Sequence, residues 1–290
     1  MLITQGSSII NRENCSECCE DEADPSFAEE GEMALFDDWC ECSRKENKLK
    51  RLLKFIEKDG GRDTIKGRLC QTVRSHYDSL DRIADDVQQL GYEGAAVILR
   101  ERLPRSKTAR SGELGEILAT ELVEEELGFN VPIRRLRYKD GREMALRGDD
   151  FIGVGYDKDN KLWLLKGEAK SQSVLTKTTI TKARAALSRD NGRCTPISLL
   201  FVADRLLDRN GDDAVLGRAI KDEVGTKTLR PMRIDHVLFT FSANAPPIAL
   251  KRDLEAADAG RNHTVINVRI EDHQVFIADV YDEVANLGNY

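Results

Sequence analysis

Apolar residues recur at three- and four-residue steps over Ile65, Leu69, Val73, Tyr77, Leu80, Ile83, Val87 and Leu90, the stripe of an amphipathic helix. This spacing predicts a helix over Asp63 to Leu90. A second helix is expected before the Gly60-Gly61 break, over Arg44 to Lys58, and further helical turns over Ala95 to Arg102 ahead of Pro104. From Ser111 onward the pattern becomes α/β: helix Ser111 to Leu127, strand Val131 to Tyr138, two strands either side of a polar turn near Lys158 to Asn160, helix Thr176 to Arg189 and strand Ile197 to Ala203. A helix over Asp213 to Val224, strands over Ile234 to Phe241 and His263 to Ile270, and a last helix near Val275 to Asn286 complete the expectation. The order of helices and strands fits an α/β sandwich with a mixed central sheet flanked by helices, preceded by a helical N-terminal region.

The chemistry concentrates in the hairpin. Its first strand follows Arg147-Gly148-Asp149-Asp150, and its second, the apolar run Leu162 to Leu165, leads into Lys166-Gly167-Glu168-Ala169-Lys170. Strand side chains alternate faces, so Glu168 and Lys170 share a side. If the loop is Lys158 to Asn160, facing residue numbers sum to 318 and Asp150 stands opposite Glu168; if it is only Asp159-Asn160, every face exchanges and Asp149 meets Lys170 instead. Either way two carboxylates and an ammonium converge, a grouping that suits a hard divalent cation on carboxylate oxygens beside a lysine that orients or activates an attacking water. On the preceding helix, Ser111 is a plausible N-cap, which would make Glu113 and Glu116 first-turn acids favoured by the helix dipole alone.

Asp150, seventeen intervening residues and then Glu168-Ala169-Lys170, preceded by Gly112-Glu113-Leu114-Gly115-Glu116, resembles the PD-(D/E)XK nuclease superfamily. More narrowly, it resembles the nuclease subunit of the Hachiman anti-phage defence system, over roughly residues 105 to 290. The resemblance implies a restriction-endonuclease-like core that cleaves DNA, Mg²⁺ (with Mn²⁺ as substitute) held by Asp150, Glu168 and Glu113, catalysis by these three with Lys170, and Asp149 and Glu116 as second choices. It also implies a helicase partner. Other PD-(D/E)XK activities, such as restriction or junction resolution, and a non-catalytic adaptor that binds DNA or a partner are the alternatives.

Charge refines the picture. The chain carries −7 overall, but residues 1 to 46 hold thirteen acids against three bases, which leaves the remainder at +3. The expected organisation is an acidic, cysteine-containing leader over 1–42, a helical region over 43–104 and the nuclease domain over 105–290. Bases on the Thr176 to Arg189 helix, Lys177, Lys182 and Arg184 among them, are placed to meet DNA phosphates, and no base-reading motif is evident, so little sequence preference is expected. Cys15, Cys18, Cys40 and Cys42 could supply a zinc site, although reduced thiols are the favoured reading. His236, His263 and His273 look isolated, either structural or solvent-exposed. No stretch is long and apolar enough to span a membrane and no targeting signal is visible, so a cytoplasmic protein is expected.

Overall fold

The computed structural model describes residues 34–244 and 247–287. The chain divides into two units, Met1–Glu32 and Met33–Tyr290, and the described residues all belong to the second. Its helices are α1 (Leu35–Trp39), α2 (Gly61–Tyr77), α3 (Leu80–Arg102), α4 (Lys107–Leu127), α5 (Lys177–Ser188), α6 (Pro196–Leu207), α7 (Asp212–Thr226), α8 (Pro247–Ala256) and α9 (His273–Asn286). Its strands are β1 (Cys40–Asn47), β2 (Lys50–Glu57), β3 (Phe151–Tyr156), β4 (Leu162–Ser171), β5 (Ile234–Ser242) and β6 (His263–Arg269).

Among the described residues the strands form one mixed sheet in the order β1-β2-β6-β5-β4-β3. The two outer pairs are antiparallel, and the inner ladders β2·β6, β6·β5 and β5·β4 are parallel. Parallel strands need cover on both faces, and β5 shows the consequence: Val237, Phe239 and Phe241 enter the core beneath α2, α4 and α9, whereas Leu238 points into the opposite core with Ile180, Ala183 and Leu187 of α5 and Leu250 and Leu254 of α8. A third cluster seats α6 and α7 over β3 and the start of β4, through Ile152, Val154, Leu164, Leu199, Val202 and Ile220. The mixed α/β sheet flanked by helices agrees with the sequence reading.

Several elements differ from expectation. The helix expected over Arg44 to Lys58 is the hairpin β1–β2, so the sheet extends far upstream of residue 104. Leu52 faces one core while Leu53 and Phe55 face the other, a two-sided burial that only a strand beside β6 offers. The stripe from Ile65 does not run unbroken to Leu90: Ser79 accepts a hydrogen bond from the Arg82 amide and caps a new helix. Ile65, Leu69, Val73 and Tyr77 are buried, but Leu80 and Leu90 are 71% and 56% exposed. Ile197 to Ala203 is helical, not a strand. Thr195 and Pro196 start α6, and Ser198, Leu199, Val202, Ala203 and Leu206 bury one face at helical spacing. The strand expected over Val131 to Tyr138 is an extended segment that ends in a 3-10 turn, Arg135–Tyr138, and makes a single β-bridge, Asn130 to Val154.

Phe55, 1% exposed and packed edge-on against Phe36 at 5.8 Å between ring centroids, ties the N-terminal hairpin into the main core. Phe55→Ala is expected to cost about 3–5 kcal/mol. Urea denaturation monitored by circular dichroism should show one cooperative transition at a lower midpoint; an early, separate transition of the hairpin would contradict this.

Candidate active site

The β3–β4 register is the one in which facing numbers sum to 318: Phe151 pairs with Gly167 and Tyr156 with Leu162. The loop is Lys158 to Asn160, closed by the Asp157 amide donating to the Lys161 carbonyl at 3.1 Å, with Asn160 at φ 55° where the turn requires left-handed backbone. Asp150 directly precedes β3. Its Oδ2 accepts from the Ala169 amide at 2.8 Å, which carries the strand pairing one step further through a side chain.

Glu168 and Lys170 project from the same side of β4. Lys170 Nζ donates to Glu168 Oε1 at 2.6 Å and lies 3.9 Å from Asp150 Oδ2. The three residues expected from the hairpin therefore come together, with the ammonium between the two carboxylates. Burial, and then the proximity of Asp150, push the Glu168 carboxyl up to about 7. Burial likewise raises Asp150, against the pull of Lys170 and the Ala169 N–H. Lys170 is raised as well: burial alone would lower it, but Asp150 and Glu168 outweigh that effect.

The two helix acids have different surroundings. Helix α4 begins at Ser106, whose side chain accepts from the Ala109 amide, so Ser111 is not the cap. Glu113 and Glu116 sit in the body of the helix, beyond the reach of the dipole argument. Glu113 is buried and engaged elsewhere: Tyr77 Oη donates to it at 2.6 Å, Lys139 forms an ion pair with it, and Tyr77 continues to Tyr281 Oη at 2.9 Å. This network ties α4 to α2 and α9. Glu116 instead lies beside Asp150; burial first and Asp150 second raise its carboxyl to about 8. Gly115 makes this approach possible, since a Cβ there would stand 2.9 Å from the Ser171 side chain at the end of β4. Among the described residues no three His, Cys, Asp or Glu side chains enclose a ready cation cage; the groups assembled are oxygen donors with an ammonium among them.

Asp149, the other aspartate, points away. It is 1% exposed, and its Oδ2 accepts from Thr195 N at 2.7 Å and Thr195 Oγ1 at 3.1 Å. Lys166 Nζ lies 3.5 Å from Oδ1. Sequence reasoning missed Lys166, although a lone lysine within the apolar interior of β4 signals a buried counter-charge. It also missed Arg135, whose guanidinium donates to the carbonyls of Arg147 (2.7 Å), Asp149 and Asp150 (3.0 Å).

On α5, Lys177 and Lys182 are exposed. Arg184 is not available in the same way, because it is paired with Asp253 at 2.7 Å and donates to His263 Nδ1 at 3.1 Å. The histidines are neither isolated nor exposed. His236 and His263 meet edge-on at 5.1 Å on adjacent strands, and His273 Nε2 lies 3.0 Å from Ser171 Oγ; burial lowers these three to about 3, 4 and 4. Of the thiols considered for zinc, Cys15 and Cys18 lie outside the described residues, as does the leader up to residue 33. Cys40 and Cys42 share one face of β1, and burial pushes Cys40 up to about 12. Among the described residues no helix is long and apolar enough to cross a membrane.

Glu168 and Glu116 are held above the ordinary 4.5, so the folded chain retains protons that the unfolded chain releases between about 4.5 and about 8. The stability these two groups contribute falls as the pH rises through that window, whereas the buried His236, His263 and His273, held below 6.5, contribute in the opposite sense up to about pH 6.5. Glu116→Gln removes one of the glutamate contributions, so the urea midpoint at about pH 8, taken relative to that at about pH 5, should be higher in Glu116→Gln than in the wild-type chain; an unchanged or lower relative midpoint would contradict the assignment.

The family model that matches the chain is described as HamA and covers residues 33–284. A Bacillus cereus protein described as Hachiman protein HamA is 27% identical over 179 residues. That alignment takes in 62% of this chain and 62% of the relative, so the chain spans less than two thirds of the relative's length. The family match runs from the N-terminal hairpin through the carboxylate cluster to α9, and the chain belongs to the HamA family.

Proposed function

We propose that this protein is a metal-dependent deoxyribonuclease of the Hachiman anti-phage defence system. The observation that carries the reading is the convergence of Asp150, Glu168 and Lys170 at the end of a strand buried on both faces. The donor set fits a hard cation: it consists of carboxylate oxygens whose proton affinities burial raises, with Asp150 adding to the effect at Glu168, and the Lys170 ammonium already sits between two of them as a positive charge. Asp150 and Glu168 would hold Mg²⁺, or Mn²⁺ in its place, and Glu116 takes the supporting position first expected of Glu113. When bound, the cation supplies charge neutralisation at the scissile phosphate.

The protein's own groups do the rest. Lys170 Nζ holds a proton against two carboxylates and can orient water toward the phosphorus, then take part in the ensuing proton transfer. Glu116 is a carboxyl raised to about 8 next to Asp150, and can hold or release a proton near neutrality. Lys177 and Lys182, exposed on the helix after β4, are suited to sequence-independent phosphate contacts. The resemblance to the Hachiman nuclease subunit supports a helicase as the partner that controls cleavage. The PD-(D/E)XK likeness rests on β4 with its Glu-x-Lys end, the preceding Asp and the flanking α4.

Purified protein incubated with plasmid and Mg²⁺ or Mn²⁺, with and without a helicase from the same system, tests the proposal. Glu168→Ala and Lys170→Ala should abolish cleavage without loss of fold. Asp150→Asn should impair cleavage much more than an equally folded Glu113→Gln, and Glu116→Gln should fall between them. Cleavage that persists in both Glu168→Ala and Lys170→Ala would exclude this site as its source.

A further inference from the structure

Two adjacent aspartates with opposite surroundings divide one task. Asp150 reaches the carboxylate cluster, while Asp149 is turned inward against the N-terminus of α6 and Lys166. Gly148, at φ 102°, lets the chain lie directly on α6, where a Cβ would collide with Ser198 Oγ. The Asp149 amide donates to that same hydroxyl at 2.7 Å, and Ser198 Oγ and Thr195 Oγ1 are hydrogen-bonded at 2.8 Å. Lys166, itself 1% exposed, spends its donors on the carbonyls of Arg189 at 3.0 Å and Arg193 at 2.8 Å. The Asp149 Oδ1 atom accepts no hydrogen bond.

A pair so desolvated is poor evidence for net stability, because removal from water offsets the Coulomb gain; one attested reason to keep such a pair is that it specifies a single geometry. The geometry specified here is that of the next residue. Asp149 is clamped by its side chain to α6, Arg135 holds the carbonyls of Arg147, Asp149 and Asp150, and the Asp150 carboxylate accepts from the Ala169 amide.

We propose that Asp149 is a positioning residue that acts through Asp150, holding its carboxylate on the Ala169 N–H so that it faces Glu168 and Lys170, with Lys166 as the counter-charge that the ionised Asp149 requires in the interior. The metal-binding consequence rests on the nuclease reading above; the positioning itself does not. Outer groups that orient metal ligands typically contribute 10–100-fold to metal affinity or activity.

The test uses the full chain and two charge-free double variants. In Asp149→Ala/Lys166→Met the anchor and the buried charges go together, and the protein should remain folded by circular dichroism. Hydrogen exchange at the Ala169 amide should accelerate at least about tenfold while core amides of β5 stay protected. In Asp149→Asn/Lys166→Met the side-chain oxygen for Thr195 remains, and Ala169 protection should return to near the wild-type level. Mn²⁺ affinity by calorimetry should fall about 10–100-fold in the first variant and recover in the second. Wild-type Ala169 protection in Asp149→Ala/Lys166→Met, or no recovery with asparagine, overturns the proposal. A wild-type chain that neither binds Mn²⁺ nor cuts DNA removes the nuclease reading alone, because amide exchange needs no metal and still judges the positioning.

Discussion

The structure depends on how it meets the desolvation of charge along β4. This strand is hydrogen-bonded to β3 on one side and β5 on the other and buried on both faces, yet it carries Lys166, Glu168 and Lys170. An ionised group taken out of water without a partner is costly enough to change its protonation or disrupt the fold. Each of the three therefore has an assigned counterpart: Asp149 for Lys166, Lys170 for Glu168, and Asp150 with Glu168 for Lys170. Burial first, and a surplus of carboxylates over the nearby ammonium second, raise the proton affinity of Glu168 and Glu116. That surplus separates a candidate site from a closed structural ion pair.

Satisfying these charges recruits elements far apart in sequence. Thr195 and Ser198 come from the start of α6, Arg135 from the turn before the hairpin, and the carbonyls of Arg189 and Arg193 from the α5–α6 connection, which also contains left-handed residues at Asp190, Asn191 and Gly192. Helix α4 approaches from the other side. Gly115 removes the Cβ that would hold it off Ser171, and the Ser111 and Ser171 hydroxyls, 2.9 Å apart, join the helix to the strand end. The same helix turns Glu113 toward Tyr77 and Lys139 and Glu116 toward Asp150. One element thus contributes both to the support of the fold and to the chemistry.

Local pattern was enough for the groups that share a strand or a tight hairpin. The two-residue period of β4 puts Glu168 and Lys170 on one side, and a three-residue loop at Lys158 to Asn160 sets Asp150 opposite Glu168, because hairpin register is set by turn length. The mixed α/β character, strands β5 and β6, and helices α5, α7 and α9 were likewise legible from period and turn residues.

Tertiary structure decided the rest, wherever short-range signals were degenerate. Arg44 to Lys58 and Ile197 to Ala203 are short apolar-polar runs that serve as helix or strand, and only the neighbours, β6 in one case and β3 with α7 in the other, select the outcome. Whether Leu80 to Leu90 is buried depends on whether the helix continues past Asp78, which Ser79 prevents. The choice between Glu113 and Glu116 turns on the approach angle of α4, and the roles of Asp149, Lys166 and Arg135 turn on contacts across tens of residues. The sequence by itself determined which charged groups sit together at the end of β4, since backbone periodicity dictates it. Only the packed structure decided which of their neighbours hold them there, since burial and charge pairing are properties of the assembled layers.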